Sequence, residues 1–97
     1  MSTITNETII AKVVTFVGSV QGVGFRATAR RIAVEFRVTG WVKNLDYGRV
    51  QLLIEGAGVE IDGFLSALRR HWGDAITSEI VQPYPASGRY RGFSVVM

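Results

Sequence analysis

The order of local signals in this 97-residue chain predicts an α+β fold. Three observations carry the prediction. Two segments with apolar residues at helical spacing each follow a β-branched run; a short turn joins two of those runs as a hairpin; and the composition, 47% hydrophobic and 20% charged with two prolines, is that of one globular domain.

Residues 1–9 read as a flexible N-terminal arm and residues 10–97 as the domain. Ile10 to Val17 is β-branched and aromatic and ends at Gly18, which signals a strand. Phe25, Ala29, Ile32 and Phe36 then fall on one face of a helix over about 25–37. Thr39 to Asn44 reads as a second strand, and Asp46-Tyr47-Gly48 turns the chain into a third, where Val50, Leu52 and Ile54 alternate towards a core. A second helix over about 59–72 carries Ile61, Leu65, Leu68 and Trp72 on one face, with Gly73 suited to its C-terminal cap. Ala75 to Gln82 is a fourth strand, Pro83 to Gly88 a loop, and Gly92 to Met97 a short last strand. A βαββαβ order of this kind fits a ferredoxin-like sandwich, an antiparallel sheet with both helices on one face, plus a short additional C-terminal strand.

Composition narrows the chemistry. With no cysteine and the single histidine His71, the chain has no disulfide framework, no thiol nucleophile and little to offer a metal, so no metal site and no cofactor are expected. The polar start lacks the blocks of a secretory signal, and the apolar run 9–17 is short and contains Lys12, so a cytoplasmic setting without membrane attachment is expected. A net charge of +3 favours anionic partners in general, without choosing between a phosphorylated small molecule and a nucleic acid.

The segment Gly18-Ser19-Val20-Gln21-Gly22-Val23-Gly24-Phe25-Arg26 joins the first strand to the first helix. The second helix opens with Glu60 and Asp62 and closes with Arg69, Arg70 and His71, as the helix dipole favours. The first helix instead carries Arg26 in its opening turn, beside unpaired N–H groups, at a cost of a few tenths to about 1 kcal/mol that a bound anion would remove. Gly18, Gly22 and Gly24 would let amides point at such an anion. Spacing alone fits equally a phosphate cradle and a glycine-rich turn beside a solvated arginine. Neither the P-loop pattern nor the dinucleotide glycine pattern is present.

Val20-Gln21-Gly22-Val23-Gly24-Phe25-Arg26, followed by Ala33 and by Gly40-Trp41-Val42-Lys43-Asn44, closely resembles the acylphosphatase family, small enzymes that hydrolyse the carboxyl-phosphate bond of acyl phosphates to carboxylate and inorganic phosphate. The resemblance runs from about residue 12 to 97 and implies the same ferredoxin-like fold. It implies that Ser19, Val20, Gln21, Gly22, Val23, Gly24 and Phe25 bind the phosphate through their amides, that Arg26 grips its oxygens, and that Asn44 holds the attacking water. By itself Asn44 near a turn reads more simply as a residue bonding its own backbone; the intact motif reverses that preference. A metal-independent monomer acting on a small acyl phosphate follows, with no nucleic-acid or membrane partner.

The chain departs from the family pattern in three places. Arg37 stands where a helix-ending glycine is common, at a cost of about 1 kcal/mol if its backbone is left-handed. Tyr47-Gly48 replaces the usual Asp-Gly turn, and Gly73-Asp74 replaces a Gly-Pro stretch. Among other candidates, His71 suits its helix end, Trp41 and Trp72 fit core positions, and Arg30 and Arg31 fit a solvated face. An RNA-binding module shares the predicted topology, but its third strand needs stacking aromatics where this chain has Arg49-Val50-Gln51-Leu52-Leu53-Ile54. The acylphosphatase-like domain of the carbamoyl-phosphate-using hydrogenase maturation proteins belongs to far longer, cysteine-rich chains.

Overall fold

A computed structural model describes residues 8–21 and 24–96. The arm predicted over 1–9 therefore lies largely outside the described residues. The chain forms β1 (Ile9–Gly18), α1 (Phe25–Ala33), β2 (Val38–Asn44), β3 (Val50–Ala57), α2 (Gly58–Trp72), β4 (Ile76–Tyr84) and β5 (Phe93–Val96). One sheet runs in the order β4-β1-β3-β2-β5.

Its first four strands are the expected antiparallel sheet, with β1 paired to both β3 and β4 and β2 paired to β3. The additional strand β5 extends it in parallel to β2. The registers explain the change of sense. Tyr84 at the end of β4 lies beside Ala11, and Phe93 at the start of β5 lies beside Gly40, so β4 ends where β5 begins, on opposite edges of the same end of the sheet. Residues 85–92 strap across between them, without the helix that a parallel connection between neighbours needs.

Alternation places Val14 and Phe16 of β1, Val42 of β2 and Val50, Leu52 and Ile54 of β3 on one face, each with no exposed surface. Phe25, Ala29, Ile32 and Ala33 of α1 and Ile61, Phe64, Leu65 and Leu68 of α2 close over them to make the core. Both helices therefore cover that face. Among the described residues no helix is long and apolar enough to cross a membrane.

Two boundaries and one side-chain placement differ from the sequence reading for physical reasons. Helix α1 stops at Ala33, not at about residue 37: the next turn is held by bonds from Glu35 N–H to the Ile32 carbonyl and Phe36 N–H to the Ala33 carbonyl, and Arg37 N–H is taken by the Glu60 carboxylate at 2.9 Å. Arg37 is not left-handed, so the anticipated penalty does not arise. Strand β4 runs on through Pro83 to Tyr84, which an edge strand permits because its outer N–H groups need no partner. Trp41 is not a core residue: it lies half-buried on the face away from the helices, donating from Nε1 to Tyr90 Oη at 3.3 Å with Lys43 Nζ 5.0 Å from its ring centre. Trp72 does join the core, stacked on Phe25 with ring centres 5.3 Å apart.

On that second face Glu55 is only 3% exposed. The strap satisfies its carboxylate: Ser87 N–H and Oγ–H donate to Oε2 at 2.8 and 3.0 Å, and Gly88 N–H donates to Oε1 at 3.0 Å. Burial alone would raise the Glu55 pKa, but these hydrogen bonds, with the nearby charge of Arg89, outweigh it and hold the carboxyl below its usual value.

Candidate active site

Strands β1 and β2 run in the same direction, and their ends lie at the end of the sheet opposite the strap. That topology sets the site. The chain leaving β1 enters α1 with Arg26 as its second residue, while β2 ends on Asn44. Gly24, Phe25, Arg26 and Asn44 line one cavity of about 350 Å³, completed by Val20, Ala27 and Val95. Arg26 is half-buried, and its Nη1 donates to the carbonyl of Val96 at the end of β5, at 3.4 Å.

Among the described residues, no side chain caps the start of α1. Its first turn has no acidic residue, and its N-cap, Gly24, offers no side-chain bond. The equivalent turn of α2 carries Glu60. The contrast read from the sequence is present in part: Glu60 alone lies in the first turn of α2, where its carboxylate accepts from Arg37 N–H, Asp62 lies beyond that turn, 3.9 Å from Lys12 Nζ, and the N-cap Ala57 makes no side-chain bond either.

The residues of the glycine segment divide into different jobs. Gly18 serves packing: a Cβ there would lie 2.0 Å from the Ala75 carbonyl oxygen, so only glycine lets the end of β1 touch the chain entering β4. Gly24 serves conformation: with φ +83° it is left-handed, yet a Cβ would meet nothing within 4 Å. Ser19 N–H already donates to the Ala75 carbonyl at 2.8 Å, so that amide, expected among the phosphate donors, is taken up within the fold. Val20 and Phe25 bury their side chains and can offer only main chain to a ligand. Gly22 and Val23 lie outside the described residues.

Two features escaped the sequence reading. Gln21 Nε2 donates to the carbonyls of Leu45 at 2.6 Å and Arg49 at 2.7 Å, tying the glycine segment to the β2–β3 turn. Tyr47 in that turn is left-handed, with φ 64° and ψ 32°, and 94% exposed. His71 packs edge-on against Trp72, ring centres 4.9 Å apart, and Arg30 is exposed outside the cavity wall.

A strand, a glycine-rich segment and a helix whose first turn carries Arg26 and no acidic residue describe a small α+β protein with a cation-lined cavity at one end of its sheet. The acylphosphatase family model matches residues 12–95. An acylphosphatase of Methylococcus capsulatus is 41% identical over 80 residues, covering 81% of this chain and 87% of that protein. The crystal structure of acylphosphatase from Bacillus subtilis superposes with a TM-score of 0.79 at 31% identity, covering 93% of this chain and all of that one. Full-length HypF, solved in a phosphate- and nucleotide-bound form, contains a similar unit: TM-score 0.85, 27% identity, 94% of this chain but 12% of the larger protein. The chain belongs to the acylphosphatase family, and is a hydrolase of that family.

Proposed function

We propose that this enzyme binds the phosphate of a small acyl phosphate between the start of α1 and Arg26, and that Asn44 holds the water that attacks it. One observation supports the reading: a single cavity is lined by Gly24 and Phe25 at the start of α1, by Arg26 and by Asn44. The main-chain N–H groups from Val20 to Phe25 and the Arg26 fork neutralise the phosphate oxygens, where charge is spread in the transition state.

The division of labour is chemically sufficient. The water oxygen bonds to phosphorus, the bond from phosphorus to the acyl oxygen breaks, and the carboxylate departs with the electron pair. Its conjugate acid has a pKa of about 4, so it needs no general acid. The water's proton passes to a phosphate oxygen of the substrate, which leaves positioning and charge stabilisation as the protein's contribution. No step calls on His71 or on a metal, and we take the enzyme to be a metal-independent cytoplasmic monomer whose partner is the substrate alone. On β3 the residues facing away from the helices, Gln51, Leu53 and Glu55, give a nucleic acid no aromatic to stack on.

The test is hydrolysis of benzoyl phosphate in EDTA by wild type and Asn44→Ala. The wild type turns over without added metal, and the variant, folded by circular dichroism, is slower by about a hundredfold or more, as for loss of a preorganised group. Equal rates in the two proteins contradict the role given to Asn44; a wild type that EDTA silences contradicts metal independence.

A further inference from the structure

We infer that Gln21 is a positioning residue for this reaction, holding the turn that directly follows Asn44 in register with the phosphate-binding segment; the inference rests on the role proposed for Asn44. A primary amide has two N–H donors, and Gln21 directs its Nε2 at two carbonyls, Leu45 at 2.6 Å and Arg49 at 2.7 Å. Those residues form the neck of the β2–β3 turn, where Leu45 N–H also bonds the Arg49 carbonyl at 2.8 Å. Leu45 directly follows Asn44.

The two partners of this tie are anchored very differently. The segment holding Gln21 is fixed by the bond from Ser19 to Ala75 and by the buried side chains of Val20 and Phe25. Asp46, Tyr47 and Gly48 are all exposed, and the turn's own side-chain bond, Arg49 Nε to the Asp46 carbonyl at 3.1 Å, stays within it. Among the described residues, Gln21 supplies the side-chain bonds that join the turn to the phosphate side of the cavity. Removing them loosens the turn and leaves Asn44 held only by its pairing with Val50 at the end of β2, while Arg26 and the helix start keep their places. Because rate falls steeply with misplacement of a reacting group, by as much as about a hundredfold for 1 Å, the loss appears in kcat.

Gln21→Met keeps the length without the donors, and Gln21→Asn keeps the amide one methylene too short to reach. In each full-length variant kcat for benzoyl phosphate is expected to fall about tenfold, while the inhibition constant of inorganic phosphate stays within about twofold. A kcat within about twofold of wild type in both variants overturns the inference, and so does phosphate inhibition that weakens as much as kcat, the mark of a collapsed binding segment. If Asn44→Ala alone keeps the wild-type rate, the fault lies in the reading of Asn44, and that is seen without reference to the Gln21 variants.

Discussion

The strap 85–92 and the start of α1 sit at opposite ends of the sheet, and they differ in whether the chain itself supplies a negative charge. The strap's N–H groups at Ser87 and Gly88 are satisfied by a carboxylate of the chain, Glu55. The start of α1 has an arginine and no acidic residue of its own. On the proposed reading, the same chemistry, main-chain N–H donors facing an anion, is structure where the protein supplies the anion and a binding site where it does not. The difference separates residues whose loss should cost stability from those whose loss should cost rate.

Arg26→Ala breaks the comparison on the functional side and carries the largest effect. The variant is expected to fold as the wild type does and to lose about a hundredfold or more in kcat/KM on an acyl phosphate, corresponding to about 3 kcal/mol or more of transition-state stabilisation. Arg26→Lys should recover little, because an ammonium cannot reproduce the two-pronged grip. Steady-state assays on purified variants measure both.

Glu55→Gln breaks it on the structural side. Loss of the carboxylate leaves a strap donor poorly matched and should cost about 1–3 kcal/mol in urea unfolding, with kcat unchanged. The pH dependence follows from the lowered pKa. The folded carboxyl binds its proton less readily than the unfolded one, so its contribution is present above the ordinary value of 4.5 and disappears as pH falls below it through the folded value. The stability gap between wild type and Glu55→Gln should therefore be full near pH 7 and close under acid conditions. A gap that persists unchanged well below that value contradicts the account.

Tyr47→Asn sharpens it with the smallest effect. A left-handed tyrosine costs about 1 kcal/mol that asparagine largely avoids, so the substitution should raise stability by about 0.5–1 kcal/mol and the melting temperature by a few degrees. Calorimetry is the check.

The fold was legible because its signals are local. Alternation at Val50, Leu52 and Ile54 and helical spacing in both helices report buried faces directly. Phe36 shows the limit of that logic: it continues the apolar stripe of α1 and does pack against the core, 6.4 Å from the Phe64 ring centre, but from a turn beyond the helix. Arg26 and Asn44 were legible through a motif. The side-chain bonds of Gln21 and Glu55 were not, since their partners lie 24 to 33 residues away and the motif marks Gln21 only for its main-chain amide. A glutamate in an alternating strand reads as solvent-facing until the strap is laid over it. The parallel sense of β5 was hidden likewise, because it depends on which edge the strap reaches.

The most direct test of the central claim is thermal unfolding with increasing inorganic phosphate, run side by side on wild type, Arg26→Ala and Glu55→Gln. At ten times its dissociation constant phosphate should stabilise the wild type by about 1.4 kcal/mol, and Glu55→Gln, though less stable at the outset, by the same increment. Arg26→Ala should gain far less at the same concentration. Equal increments in wild type and Arg26→Ala would contradict the assignment of the phosphate site to the start of α1.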